Sequence, residues 1–123
     1  MTIPILSATN NPSQEFIFIV NPASGPGDAN SQPDPDYQTC IPQLRPSVNP
    51  NVVVLGYVAT GAGEKDPSAV DSEIDTYNGW GASFRPNGIF FDQGATDPSF
   101  VSLYQGYADT VRSLEGFDFV SKI

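Results

Sequence analysis

The sequence predicts an α/β fold built from parallel β/α units. Three observations support this prediction: short apolar runs recur along the chain, an Asp-Pro pair follows each run, and residues with helical spacing follow each pair. Alternation of strands and helices implies right-handed crossovers between parallel strands. The repeat length is close to one β/α unit, which indicates either a small open sheet or a partial TIM (β/α)8 barrel of about four strands.

The three predicted strands are the apolar runs at 16–20, 52–58 and 88–91, with the sequences FIFIV, VVVLGYV and GIFF. These runs are rich in β-branched and aromatic residues and are continuous rather than alternating, which is typical of strands covered on both faces. A weaker fourth strand is predicted at 117–120. A partial barrel would have open sheet edges, so self-association through those edges is expected.

The predicted helices begin at Asp34-Pro35, Asp66-Pro67 and Asp97-Pro98. Aspartate suits the N-cap because it accepts hydrogen bonds from free backbone amides, and proline suits the first helical position. Each start is followed by an apolar stripe with i, i+4, i+7 spacing that would face the sheet. The stripes are Tyr37, Ile41 and Leu44, then Val70, Ile74 and Tyr77, then Phe100, Tyr104, Tyr107, Val111 and Leu114. Asp71, Glu73 and Asp75 fall outside their stripe and are expected on a solvated face.

Composition excludes several classes of function. The 123 residues fit one domain and include 14 acidic residues, 5 basic residues and no histidine. An acidic surface disfavours nucleic acid and anionic membranes, and no apolar run is long enough to span a membrane. Without histidine, acid-base chemistry must use carboxylates or tyrosines, and no imidazole is available as a metal ligand; no cofactor is predicted. The single cysteine, Cys40, is expected to be a buried structural thiol.

Candidate ligand-binding residues follow the predicted strands, since ligands of such folds meet the loops at the carboxyl ends of the strands. Asp92 directly follows an apolar strand, where partial desolvation would raise its pKa and permit acid-base catalysis. Asp-x-Gly is also ordinary turn chemistry, so a turn-forming role for Asp92 stays open. Tyr57 is interpreted either as a ligand-binding or as a core side chain, and Trp80 as a packing residue.

Four stretches together resemble the spherulin-4, or spherulation-specific family 4, proteins. These stretches are IVNPASGPG, VLGYVATGAG, DSEIDTYNGW and GIFFDQ, which begin at residues 19, 54, 71 and 88. The family is similar to TIM-barrel glycoside hydrolases that cut galactosamine-containing polysaccharides of fungal walls and biofilms. The resemblance therefore implies a polysaccharide partner, a metal-free carboxylate mechanism, and a secreted or cell-surface location, although no signal peptide is visible in the sequence.

The chain departs from the family at one position. Where the family reads Phe-Phe-Asp-Glu, this sequence has Asp92 followed by Gln93. Asp92 matches a candidate catalytic acid, whereas an amide at position 93 neither releases nor accepts a proton near neutral pH. Since glycoside hydrolysis usually requires two carboxyl groups, the substitution predicts impaired catalysis.

The resemblance covers the middle of the family, so residues 1–123 are interpreted as a single incomplete barrel domain that lacks the first strand and the later strands. One of those later strands would carry a further catalytic glutamate. Three hypotheses follow: a truncated and catalytically impaired hydrolase-type protein, a carbohydrate-binding or structural surface protein, and an active glycosidase on galactosaminogalactan. Binding would use Asn21, Tyr57, Asp92 and Gln93, whereas hydrolysis would need Glu64 or another acid as the partner of Asp92.

Overall fold

In the computed structural model, a parallel sheet carries helices on one face. The structure describes Asn10, residues 13–45 and residues 51–117. Within 13–45 and 51–117, strands and helices alternate in the order β1 Phe16–Val20, α1 Pro35–Gln43, β2 Val52–Ala59, α2 Pro67–Asn78, β3 Gly88–Asp92 and α3 Val101–Ser113. Short 3-10 turns at Gly61–Gly63 and Pro98–Phe100 precede α2 and α3. The predicted α/β class with parallel β/α units is confirmed.

The sheet has the strand order β1-β2-β3, with both neighbouring pairs parallel. Phe16 of β1 pairs with Val52 of β2, and Ala59 of β2 pairs with Asp92 of β3. All three strands therefore end at the same edge of the sheet, called here the carboxyl edge. Of the predicted fourth strand, Phe117 lies outside any strand and residues 118–120 lie outside the described residues.

The helices begin where the Asp-Pro pairs predicted, because each aspartate acts as an N-cap. The carboxylates of Asp34, Asp66 and Asp97 each accept a hydrogen bond of 2.9 Å from the backbone amide two residues further on. These bonds satisfy amides that have no partner inside the helix. The third start differs slightly, since Pro98–Phe100 forms a 3-10 turn before α3 begins at Val101.

The core lies between the sheet and the helices. It is formed by alternate strand residues and by the predicted helical stripes, with Val20, Val54, Val58, Ile89 and Phe91 packed against Ile41, Val70, Ile74, Tyr77, Tyr107 and Val111. Trp80 is fully buried, and its ring meets the ring of Tyr77 edge-on at 4.9 Å. The prediction that Trp80 is a packing residue is confirmed.

Two expectations about helical side chains are wrong. Cys40 is partly exposed rather than buried, because the buried side of α1 runs through Ile41 and Leu44. Glu73 is mostly buried, with 18% of its side chain exposed, and forms an ion pair with Lys65. The acidic residues of α2 therefore do not all lie on a solvated face.

The opposite face of the sheet, called here the second face, carries the remaining strand side chains. Alternation along the strands assigns to this face Ile17 and Ile19, then Val53, Leu55, Tyr57 and Ala59, then Gly88, Phe90 and Asp92. Ile17 and Ile19 are 53% and 46% exposed. No described helix is both long enough and apolar enough to cross a membrane.

Candidate functional site

Tyr57 and Asp92 meet on the second face near the carboxyl edge. Asp92 pairs in register with Ala59, so Tyr57 is two residues back along the neighbouring strand, on the same face. The phenol of Tyr57 donates a hydrogen bond of 2.7 Å to Oδ2 of Asp92. The Tyr57 ring also lies against the ring of Phe90, with centroids 6.4 Å apart. Strand register thus brings together two predicted site residues that are 35 positions apart in sequence.

This contact reverses the expected pKa shift of Asp92. The hydrogen bond from Tyr57 lowers the pKa of the Asp92 carboxyl below its usual value, with a smaller contribution from the backbone amide of Gln93. The sequence-based expectation of a raised pKa is wrong, because it considered desolvation without a hydrogen-bond donor. The same bond raises the pKa of Tyr57. At neutral pH the pair is therefore a carboxylate that accepts and a phenol that donates.

Gln93 occupies a constrained turn immediately after β3. Its φ of 58° lies in the left-handed region that non-glycine residues rarely adopt. Its side-chain Oε1 accepts a hydrogen bond of 3.2 Å from the amide of Gly61, and its carbonyl accepts one of 2.8 Å from the amide of Ala62. The amide nitrogen Nε2 of Gln93 has no hydrogen-bond partner among residues 13–45 and 51–117. The side chain is exposed, so its amide nitrogen is available to donate to a ligand.

Asn21 and Glu64 also lie in loops at the carboxyl edge, and both are exposed. Oδ1 of Asn21 accepts a hydrogen bond of 2.8 Å from the amide of Gly25, so this oxygen stabilises its own loop. Glu64 follows the Gly61–Gly63 turn. Within the described part of the chain, no hydrogen bond joins the side chain of either residue to Tyr57 or Asp92. The structure thus joins Tyr57 to Asp92, with Gln93 next in sequence.

Sequence reasoning missed two hydroxyl groups behind this site. Thr60 follows β2, is only 1% exposed, and has its Oγ1 within 2.9 Å of the carbonyl oxygens of both Asp92 and Gln93. The Tyr104 hydroxyl lies 2.7 Å from Thr60 Oγ1 and accepts a hydrogen bond of 3.0 Å from the amide of Ala95. The helical stripe had identified Tyr104 only as a packing residue, since periodicity does not show where a hydroxyl points.

A second missed contact connects the loops of β1 and β2. Lys65, near the end of the β2 loop, pairs with Glu73 of α2. The other carboxylate oxygen of Glu73 occupies the space that a side chain at Gly25 would need. Gly25 has a φ of 143°, so glycine is required there both by conformation and by this close approach. The β1 loop that carries Asn21 is thereby packed against α2.

An open depression of about 410 Å³ adjoins the loop after β3. It is lined by Gly94 to Pro98 and by Phe100, Val101 and Tyr104. In the described ranges, no group of three or more histidine, cysteine, aspartate or glutamate side chains could hold a metal ion. Of the groups at the carboxyl edge, the carboxylate of Asp92 and the phenol of Tyr57 are in contact, and the amide of Gln93 follows Asp92 in sequence.

Comparisons with known proteins agree with these observations. The model of spherulation-specific family 4 matches residues 4–122. Spherulin-4 of Physarum polycephalum is 35% identical over 105 residues, which cover 84% of this chain and 29% of that protein. The chain therefore spans less than a third of that relative's length.

A solved structure extends the comparison to the fold. The crystal structure of Aspergillus clavatus Sph3 in complex with GalNAc matches with a TM-score of 0.83 and 33% identity, covering 93% of this chain and 47% of that chain. The likeness to this TIM-barrel-like protein confirms the predicted partial barrel, of which three strands lie in the described ranges. Because the family model matches nearly the whole chain, the chain belongs to spherulation-specific family 4.

Proposed function

We propose that this chain is part of a glycoside-hydrolase-type protein that binds an N-acetylgalactosamine-containing polysaccharide at the carboxyl edge, with weak or absent hydrolysis. The observation that carries the proposal is the Tyr57–Asp92 hydrogen bond of 2.7 Å beside the amide Gln93. Support comes from family membership and from the likeness to a structure solved with GalNAc.

The chemistry of the site favours binding over cleavage. An ionised Asp92 accepts hydrogen bonds from sugar hydroxyl and amide groups, and Gln93 Nε2 donates to sugar oxygens. Hydrolysis needs one carboxyl group to donate a proton and a second to act as base or nucleophile. The lowered pKa of Asp92 makes it a poor proton donor at neutral pH, and Gln93 cannot take the other role. Asn21 would contribute its side-chain amide nitrogen from the β1 loop.

Binding of N-acetylgalactosamine oligosaccharides, measured by calorimetry on the 123-residue chain, tests the proposal. Asp92→Asn is expected to weaken binding by roughly tenfold or more, the loss typical of a hydrogen bond to a charged group. Asp75→Asn is the matched control, because Asp75 is an exposed acid on α2. Equal affinity in the wild-type chain and Asp92→Asn, or no binding by the wild-type chain, would contradict the proposal.

Hydrolysis is followed in parallel by the release of reducing ends from galactosaminogalactan. We expect little release by the wild-type chain and an increase in Gln93→Glu, because the substitution restores a second carboxyl group beside Asp92. Efficient wild-type turnover that disappears in Asp92→Asn would instead establish an active glycosidase. If Gln93→Glu changed neither binding nor turnover, the site would not be assembled as proposed.

A secreted or cell-surface location belongs to the same proposal, since a wall or biofilm polysaccharide lies outside the cell. Support comes from family membership alone. Fractionation of the source cells, with the protein detected by antibody in medium, wall and lysate, tests the location. Detection only in the lysate would contradict it.

A further inference from the structure

We infer that Thr60 and Tyr104 are positioning residues that hold Asp92 and Gln93 in the geometry needed for sugar binding, without touching the sugar themselves. The inference rests on the proposed function of the carboxyl edge.

The directions of the hydrogen bonds follow from counting protons. The amide of Ala95 can only donate, so the Tyr104 oxygen accepts from it at 3.0 Å. The carbonyls of Asp92 and Gln93 can only accept, so the single proton of Thr60 is directed to them, at 2.9 Å each. Tyr104 must then donate to Thr60 Oγ1 at 2.7 Å, because its separation of 3.5 Å from the Gln93 carbonyl is too long for a good bond.

The result is a directed chain of hydrogen bonds that connects the loop after β3 to Tyr104 of α3 and to Thr60 at the end of β2. It runs from the Ala95 amide through the hydroxyls of Tyr104 and Thr60 to the two carbonyls. Thr60 lies in a buried position, where an unpaired hydroxyl is costly, and its hydroxyl adds to the hydrogen bonds that the two carbonyls already accept from the backbone amides of Thr60 and Ala62. The chain of bonds therefore resists movement of the turn.

The turn is a conformation that needs such support. Gln93 has a φ of 58°, and a non-glycine residue keeps this backbone only where its surroundings hold it. The conformation at this residue sets the directions of the Gln93 side chain and of its backbone amide, which hydrogen-bonds the Asp92 carboxylate. Small displacements of a binding group weaken its contacts strongly, so the turn geometry sets the quality of the site.

Helix α3 fixes the position of the Tyr104 hydroxyl. The Tyr104 ring meets Tyr107 edge-on at 5.9 Å, and Tyr107 is buried and stacked on Phe91 at 5.7 Å. Phe91 belongs to β3 and immediately precedes Asp92. The same strand is thus held from its core side by ring packing and at its end by the hydroxyl chain.

Removing the hydroxyls while keeping side-chain shape tests the inference. Tyr104→Phe and Thr60→Val are each expected to weaken binding of an N-acetylgalactosamine oligosaccharide about three- to tenfold, the range for one lost hydrogen bond. The double variant is expected to lose little more than either single variant, because both act through one chain of bonds. Thr60→Ser keeps the hydroxyl and is expected to retain binding.

Tyr107→Phe is the matched control for Tyr104→Phe. The Tyr107 hydroxyl has no hydrogen-bond partner among residues 13–45 and 51–117, so its loss should leave binding unchanged. Thermal unfolding of each variant identifies any that fails to fold. Unchanged affinity in folded Tyr104→Phe and Thr60→Val, or an equal loss in Tyr107→Phe, would overturn the inference.

A measurement without sugar separates this inference from the proposed function. The pKa of the Asp92 carboxyl, followed by carbon NMR, is expected to rise in Tyr104→Phe and Thr60→Val as the Tyr57–Asp92 contact loosens, and to stay low in Thr60→Ser. This result would support the positioning role even if the wild-type chain bound no sugar. An Asp92 pKa that stays unchanged in both hydroxyl-deleting variants would count against the role whether or not sugar binds.

Discussion

At the residue scale, the Tyr57–Asp92 hydrogen bond reinforces the ionised state of the acid at the candidate site. It lowers the pKa of the acid and raises that of the phenol, so both groups keep their ordinary neutral-pH states more firmly than isolated side chains would. Asp92 is thereby maintained as a hydrogen-bond acceptor. A general acid would need the opposite shift.

Replacing Tyr57 with phenylalanine tests this electrostatic role. Tyr57→Phe is expected to raise the pKa of Asp92 toward the ordinary value of about 3.9, measured by carbon NMR titration. Tyr37→Phe is the control, because it removes the hydroxyl group of a tyrosine on α1 that does not hydrogen-bond Asp92 within the described residues. An Asp92 pKa that does not move in Tyr57→Phe would contradict the assigned cause.

The same substitution has a predicted effect on stability. Since Asp92 has a lower pKa when folded than when unfolded, the contact stabilises the protein above about pH 3.9 and this contribution is lost as the pH falls through the folded-state pKa. The difference in unfolding free energy between wild type and Tyr57→Phe should therefore be larger at neutral pH than in acid.

At the element scale, β2 packs against α2 through one close approach. A side chain at Gly56 would place its Cβ 2.8 Å from the ring of Tyr77, and the Tyr77 phenol donates a hydrogen bond of 2.8 Å to the carbonyl of Tyr57. The absence of a side chain at Gly56 lets the tyrosine ring lie flush on the strand. This contact fixes α2 against β2 directly beside the candidate site.

Alanine substitutions at two glycines test this packing. Gly56→Ala is expected to lower the unfolding free energy by about 1–3 kcal/mol, because the added methyl group overpacks the core. Gly106→Ala is the matched control: a side chain there meets nothing within 4 Å, and alanine in a helix is up to about 1 kcal/mol more stable than glycine. Urea unfolding measures both. Similar changes in the two variants would contradict the packing explanation.

The helix starts show which elements the sequence could predict. An N-cap hydrogen bond joins residues two positions apart, so the Asp-Pro pairs contain the whole interaction within a short segment. The strands were equally recognisable, because the apolar runs are short, β-branched and bounded by turn residues. The 3-10 turn at Pro98–Phe100 and the partial exposure of Cys40 were not, since both depend on how the helix meets the sheet.

At the scale of the whole molecule, the two faces of the sheet differ. Helices cover the core face, while Ile17 and Ile19 on the second face are about half exposed. Within the described ranges, β1 and β3 each pair with one neighbouring strand only. The matched Sph3 chain is about twice the length covered here. We therefore expect the 123-residue chain to self-associate through the second face and its edges.

Sedimentation velocity over a range of concentrations tests this expectation. A chain with Ile17→Ser and Ile19→Ser should associate less than the wild type, because these substitutions remove exposed apolar surface from the second face. Val101→Ser is the control, since Val101 is 62% exposed on α3 and away from that face. A wild-type chain that stayed monomeric at all concentrations would contradict the expectation, as would an equal effect of Val101→Ser.

The sequence by itself determined the class of fold, the helix starts, the strand that ends at Asp92, and the amide that follows it at position 93. These features depend on periodicity, capping and residue identity, which act over a few positions. The tertiary structure decided which groups meet: Tyr57 with Asp92 across 35 positions, and Thr60 with Tyr104 across 44. Such contacts depend on strand register and helix packing, which no local sequence pattern contains. The expected pKa shift of Asp92 was reversed because only the folded chain brings the Tyr57 donor to its carboxylate.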